Sequence, residues 1–167
     1  ALRKLEDIGR VFIVTNNTTN NTVQIAAKIN KCGTSIKPED VISSGLGLTY
    51  DDKTNDMVRN KNVYVFGRED CYPYFEKAGV KTITNNLKNA DVAVLTSTLI
   101  DNNEGVFHKF ATELMNWPDL PLICANPDIY VISAPGEKRP VIGYYAKQLV
   151  HSGHYVHWIG KPLTKCS

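Results

Sequence analysis

The chain has no long apolar run, no paired cysteines and little excess of charge of either sign, and each absence closes off a class of function. No stretch reaches the roughly 18 to 20 apolar residues that a membrane-spanning helix needs. The opening segment, Ala1-Leu2-Arg3-Lys4-Leu5-Glu6, lacks the apolar core of a signal peptide. No membrane is expected as a partner, and the expected location is cytoplasmic. The four cysteines, Cys32, Cys71, Cys124 and Cys166, stand far apart without a C-x-x-C pair. That pattern excludes a zinc ribbon and a thioredoxin-like motif, and reduced thiols are the simplest reading. A net charge of +2 marks out no polyanionic partner, so no nucleic acid is expected. Glycine motifs for nucleotides are missing too. Gly45-Leu46-Gly47 begins like the dinucleotide fingerprint, but Tyr50 stands where its third glycine belongs, and neither G-x-x-x-x-G-K-[ST] nor G-x-S-x-G occurs.

What is present is an ordinary globular composition, with 167 residues, enough for one domain or for a small core carrying an inserted subdomain. Val11-Phe12-Ile13-Val14-Thr15-Asn16-Asn17 is an apolar run that stops at three small polar side chains. Such a run suits a strand covered on both faces, as in a parallel sheet. Before it, Leu2, Leu5 and Ile8 recur at helical spacing, with Gly9 placed to end the helix in a left-handed conformation. After it, Thr19 or Asn21 can cap a helix carrying Ile25, Ile29 and Cys32 and closed by Gly33. Lys37 to Asp40 reads as a helical turn leading into Val41-Ile42-Ser43-Ser44-Gly45.

The middle of the chain repeats one theme. Strands are predicted over 62–67, 80–83, 90–95 and 121–125, with helices over 70–78 and 104–117. Strands alternating with helices imply crossover units and a mostly parallel sheet, hence an α/β fold. Asn126-Pro127-Asp128 is a turn signal, and a loop containing Pro135-Gly136 follows. A helix over 141–151 leads to the strand Tyr155–Ile159, which runs into Gly160-Lys161-Pro162.

Thr15, Asn16 and Asn17 stand at the carboxyl end of one predicted strand and Lys161 at the end of another. In open α/β sheets that edge is where ligands bind. If the two strands share a sheet, a hydroxyl, two amides and an ammonium converge on an anion such as phosphate. The same triplet also fits a strand end followed by an Asx or Thr helix cap. His151, His154 and His157 are spaced by three, yet Gly153 ends the helix between them, so the imidazoles are expected to diverge and no metal site is assigned. Asp51 and Asp52 read as a solvated acidic pair. The N-x-T patterns beginning at Asn16, Asn17 and Asn20 read as accidents of an Asn-rich segment.

Taken in order, V-F-I-V-T-N-N, V-I-S-S-G, an α/β region, A-N-P-D and I-G-K-P resemble the p-nitrophenylphosphatase-like branch of the haloacid dehalogenase superfamily. The resemblance covers essentially the whole chain. It implies a Rossmann-like parallel-sheet core, incomplete here, over residues 1–46 and 137–167, with an inserted α/β cap over 47–136. It also implies a phosphatase acting on a small-molecule phosphate monoester through an aspartyl-phosphate, with Mg2+ as cofactor. Carried over by position, Thr15 matches the hydroxyl that holds the transferring phosphoryl group and Lys161 the lysine that neutralises its charge. Asn16 and Asn17 line the same pocket, while Asn126 and Asp128 match the segment joining cap and core, followed by a substrate-contacting loop over 129–138. The family's D-x-D-G segment, with its nucleophile, and its later acidic pair are not in these 167 residues. The chain is therefore expected to be an internal fragment, inactive alone, with nucleophile and metal ligands outside it and with a tendency to form a homo-oligomer. The rival expectation is a non-catalytic anion- or partner-binding module.

Overall fold

The structure, a computed structural model, describes residues 2–98 and 103–161. Residues 99–102 and 162–167, Pro162 and Cys166 among them, lie outside the described residues. In chain order the elements are α1 (Leu2–Glu6), β1 (Ile13–Thr15), α2 (Thr22–Asn30), β2 (Val41–Ser43), α3 (Gly47–Tyr50), α4 (Asp52–Val58), β3 (Asn62–Phe66), α5 (Tyr72–Lys77), β4 (Thr82–Thr84), β5 (Val92–Leu95), α6 (Asn103–Leu114), β6 (Leu122–Cys124), β7 (Tyr130–Ala134), β8 (Glu137–Pro140), α7 (Ile142–His151) and β9 (Val156–Trp158).

The alternation of strand and helix from residue 62 onward builds a five-stranded parallel sheet in the order β4-β3-β5-β6-β9. Side chains on a strand point alternately to opposite faces, and both faces here are apolar. Ala93 and Leu95 pack with Phe107, Phe110, Tyr145 and Leu149 of α6 and α7. Val92 and Val94 pack with Leu48, Val58 and Phe75 of α3, α4 and α5. Every residue of β5 is consequently buried, which is why its sequence reads as an unbroken apolar run rather than an alternating one. The strand order reverses direction between β3 and β5, and crevices for ligands open outside the carboxyl ends of strands at such a point.

β1 and β2 form a separate parallel pair, with Ile13 opposite Val41 and Thr15 opposite Ser43. Among the described residues α2 and the segment after it cover one face, where Ile25, Ala26 and Ile36 form a small cluster with Val41. The sequence predicts that β1 is covered on both faces, but Phe12 and Val14 are about half exposed (50% and 52%) and Ile42 is at 47%. Among the described residues β1 has a strand partner on one side and a helix on one face, which leaves its other face bare.

Three further differences from the sequence reading concern connectivity. The strand before Gly160 does not join β1; Leu122 pairs with Val156 and Cys124 with Trp158, so β9 completes the larger sheet. That sheet therefore runs through residue 158. The segment 129–138 is not a plain loop but the antiparallel hairpin β7–β8, turning at Pro135-Gly136. The stretch after Gly45, to which the sequence reading assigned no element, forms α3 and α4. Asp51, read as one of a solvated acidic pair, is exposed and in addition caps α4 by accepting from the Thr54 N–H at 2.8 Å. Gly33, Gly79 and Gly153 end their helices with positive φ as expected, whereas Gly9 is not among the residues with positive φ.

Candidate functional site

Thr15 ends β1, and the chain turns at once. The Thr15 hydroxyl accepts from the Asn17 N–H at 3.1 Å, and Asn17 Oδ1 accepts from the Asn20 N–H at 3.1 Å. These local bonds replace the strand ladder and direct the loop outward. The cap of α2 is Asn21, reciprocated by Gln24; Thr15 is thus free of the capping role that local sequence also allowed.

Asn16 joins three distant segments. It is buried at 6% exposure, its Nδ2 donates to Asp128 Oδ1 at 2.8 Å and to the Lys161 carbonyl, and its Oδ1 accepts from the Lys161 N–H at 2.8 Å. Both ends of the amide are satisfied, as burial requires. Gly160 makes the approach feasible. Its φ is +112°, and a Cβ there would lie 2.7 Å from Pro127 Cδ and 2.9 Å from Asn16 Oδ1. Beyond it, Lys161 Nζ donates to the Val14 carbonyl at 2.7 Å, which leaves two ammonium hydrogens for other acceptors. So although β1 and β9 belong to different sheets, their carboxyl ends meet.

The loop after β1 is seated on the carboxyl ends of the larger sheet. The Thr18 hydroxyl donates to the Thr96 carbonyl, Ser44 Oγ donates to the Ala125 carbonyl at 2.6 Å, and the Tyr74 hydroxyl donates to the Asn20 carbonyl at 2.9 Å. Gln24 Nε2 donates to Asp70 Oδ1 at 3.0 Å, and Asp70 pairs with Arg68 at 2.9 Å. Gly67 has no room for a side chain, since a Cβ would fall 1.9 Å from Thr96 Oγ1. That close approach brings the ends of β3 and β5 together.

Several cavities open at this junction, among them one of about 260 Å³ lined by Val14, Thr15, Asn16 and Lys161 among others. Another, of about 420 Å³, is lined by Thr15, Asn17, Arg68, Asn126, Asp128 and Arg139 among others. A third, of about 380 Å³, is lined by Thr15, Asn16, Asp128 and Lys161. All six residues singled out from the sequence therefore line one or other of these last two cavities, which share Thr15 and Asp128. Asn126 Oδ1 accepts from the Asp128 N–H at 3.0 Å, which shapes the turn presenting that carboxylate. A larger cavity of about 570 Å³ lies between α6 and α7, but its lining touches none of these strand ends.

Sequence reasoning missed Arg68, Ser97, Thr98 and Arg139. The available signal was topological: Gly67-Arg68 and Thr96-Ser97-Thr98 follow the two strands that flank the reversal of strand order. The buried thiols are held in their protonated, weakly nucleophilic form. Burial pushes Cys124 up to about 12 and also raises Cys71. His157 lies in β9 with Nε2 2.9 Å from Thr54 Oγ1. Its pKa is lowered, first by burial and then by Lys53, with Asp51 opposing. Among the described residues no group of three or more His, Cys, Asp or Glu could hold a metal ion. None of the described helices is long and apolar enough to cross a membrane.

Residues 1–81 match the model of the haloacid dehalogenase-like hydrolase family. No curated protein matches the chain. Among solved structures, a thermostable NPPase double mutant from Geobacillus stearothermophilus is similar at 23% identity and a TM-score of 0.72, over 96% of this chain and 62% of that one. A glycerol phosphate phosphatase from Mycobacterium tuberculosis, in complex with calcium, is similar at 19% identity and a TM-score of 0.78, over 97% of this chain and 47% of that one. A p-nitrophenyl phosphatase from Archaeoglobus fulgidus is similar at 17% identity and a TM-score of 0.69, over 94% and 58%. The chain spans less than two thirds of the length of each.

Proposed function

We propose that this chain, whose residues 1–81 match the haloacid dehalogenase-like hydrolase family model and whose fold is shared by phosphatases in solved structures, forms part of a phosphate-monoester hydrolase of that family. The observation that carries this reading is the Asn16 amide, which fastens Lys161 and Asp128 beside Thr15. The Thr15 hydroxyl donates to a phosphoryl oxygen and the Lys161 ammonium offsets its charge. Asn17, Asn126 and Asp128 shape the space for the rest of the substrate. Phosphoryl transfer depends chiefly on positioning and on stabilising charge spread over the equatorial oxygens, and these groups supply both.

In this reading the β1–β2 unit belongs to the hydrolase core, and the five-stranded sheet is the α/β cap. The D-x-D-G segment that would carry the attacking aspartate does not occur in these 167 residues; that aspartate would displace the substrate alcohol to form an aspartyl phosphate, which water then hydrolyses to aspartate and phosphate. Magnesium is proposed for the whole enzyme, in line with a solved glycerol phosphate phosphatase in complex with magnesium. The described residues do not fit it: Asp128, the carboxylate at the junction, is bonded to Asn16, and no cluster of ligands surrounds it. Its ligands are therefore placed outside these residues, and no step is assigned to it here.

Titration of this chain with orthophosphate, followed by calorimetry, is expected to give saturable binding that Thr15→Val and Lys161→Ala weaken. Absence of binding, or binding indifferent to both substitutions, refutes the phosphate assignment. The bare face of β1–β2, with Phe12, Val14 and Ile42 exposed, favours a second reading as a partner-binding module. Hydrolysis of p-nitrophenyl phosphate by the longest natural product of the gene decides between the two.

A further inference from the structure

The cavity of about 570 Å³ on the five-stranded unit lies between α6 and α7 and has the size of a small-molecule site. Positions 104, 107, 108 and 111 share one face of α6, and positions 144, 145, 148 and 149 share one face of α7. The two helices meet where the rings of Phe107 and Tyr145 lie 4.8 Å apart. Gly105, Ala111 and Ser152, also in the lining, are too small to fill the space that remains. Tyr145 turns this space into a candidate site. It is 4% exposed, and its ring packs against Phe107 and Tyr144, yet its hydroxyl makes no hydrogen bond to a described residue. A buried hydroxyl costs free energy unless it finds a partner. Among the described residues Thr49 Oγ1 is the one fully enclosed side-chain oxygen or nitrogen without a partner. The Tyr145 hydroxyl is therefore not sealed in, and it opens on the cavity that its residue lines.

The charge of the lining sets the class of ligand. Glu104 is its one carboxylate, and no lysine or arginine lines it; His108 is its one imidazole. Glu104 is exposed, and no described residue pairs with it within 4.0 Å. Lys109 and Lys147, on the same two helices, are exposed and outside the lining. The charge of Glu104 is felt at the unpartnered phenol, since the Tyr145 pKa is raised first by burial and then by Glu104 and Tyr144. The Gln148 amide and the Tyr144 hydroxyl likewise make no side-chain hydrogen bond to a described residue. An ammonium group can donate to the carboxylate, to a phenol oxygen and to the amide oxygen, while aromatic rings attract a cation and pack against a flat apolar body. We propose that the cavity between α6 and α7 binds a small organic amine cation with an aromatic body, its ammonium on Glu104 and Tyr145 and its ring against Phe107 and Tyr144. Glu104 turns anions away. The cavity shares no lining residue with those at Thr15, and the proposal does not depend on the phosphate assignment.

The test titrates this chain at about pH 8, where an ordinary imidazole is neutral, with three matched probes: 2-phenylethylamine, 2-phenylethanol and 3-phenylpropanoate. Calorimetry is expected to show saturable binding of the amine, about tenfold weaker binding of the alcohol, and weaker binding still of the carboxylate. The backbone amide signals that shift on adding the amine should belong to α6 and α7. Glu104→Gln, an exposed substitution, is expected to bring the amine and the alcohol to equal affinity. Tyr145→Phe, which removes the unpartnered hydroxyl and keeps the ring, should weaken amine binding about fivefold. Absence of amine binding overturns the proposal, and so does an amine that binds no better than the alcohol. A preference that survives Glu104→Gln, amine affinity unchanged in Tyr145→Phe, or signal shifts confined to β1, β2 and the loop after Thr15 overturns it equally. Orthophosphate takes no part in these titrations, so either result leaves the phosphate assignment to its own test.

Discussion

The two sheets divide the labour unequally. The five-stranded sheet has apolar layers on both faces and completely buried side chains such as Phe75, Leu95 and Ile123. Burial of each contributes about 1.5–3 kcal/mol. The β1–β2 pair has one small cluster beneath it and a bare outer face, yet it supplies Thr15, Asn16 and Asn17. Stability thus resides mainly in one unit, while the other contributes the groups proposed to hold phosphate. The smaller unit stays in place through directed polar contacts made by Asn16, Thr18, Gln24 and Ser44. Residues proposed to bind and act are drawn from a region of low local stability, which is where proteins tend to place parts that must adjust.

The contrast can be broken most forcefully at its strong end. Phe75→Ala, in the core behind β5, is expected to lower the stability of the five-stranded unit by about 3–5 kcal/mol in a denaturant titration. Val14→Ala on the bare face of β1 should stay within about 0.5 kcal/mol. Equal losses would show that the two sheets are one energetic unit.

Next in size is the clip between them. Asn16→Ala leaves Asp128 and the Lys161 N–H without their partner and should cost about 2 kcal/mol. Hydrogen exchange should speed up at β1 and β2 while the amides of β5 and β6 keep their protection. A third prediction sharpens the division of labour. Thr15→Val should weaken orthophosphate binding about tenfold and move the melting transition little, because Thr15 serves the loop through a single bond to Asn17.

The smallest effect is a pH dependence carried by His157. Its folded pKa lies below the unfolded value, chiefly through burial. The unfolded chain therefore binds the proton more readily, and stability falls as pH drops below the unfolded value and toward the folded one. His157→Asn should flatten the slope of melting temperature against pH between 7 and 5. An unchanged slope would mean that another group sets the acid sensitivity.

Much of the larger sheet was legible because its signals are local. The runs ending at Phe66, Leu95 and Cys124, each preceded or followed by a helix pattern, state their own class. The partner of β9 was not legible, since the run Val156-His157-Trp158 suits either sheet and pairing is decided by contacts more than thirty residues away along the chain. The hairpin β7–β8 was missed because all but Pro140 of its strand residues are exposed, so no apolar alternation marks them. α3 and α4 were hidden by glycines and by an acidic pair whose first member turned out to be a helix cap. At the candidate site Thr15 and Lys161 were found from motif order, whereas Arg68 and Arg139 become neighbours only through the strand order and the hairpin.

The Asn16 clip also has a meaning in time. Its partners lie 112 and 145 positions farther along the chain. A ribosome adding roughly 5–20 residues per second exposes Asn16 well before it exposes Lys161, by some 7–30 seconds at those rates. Contacts so remote close late, because chain entropy opposes them until the intervening sheet has formed. A growing chain therefore carries Thr15, Asn16 and Asn17 for that interval without the lysine proposed to help them hold an anion. The proposed phosphate site is thus assembled only after the five-stranded sheet between its two halves has formed.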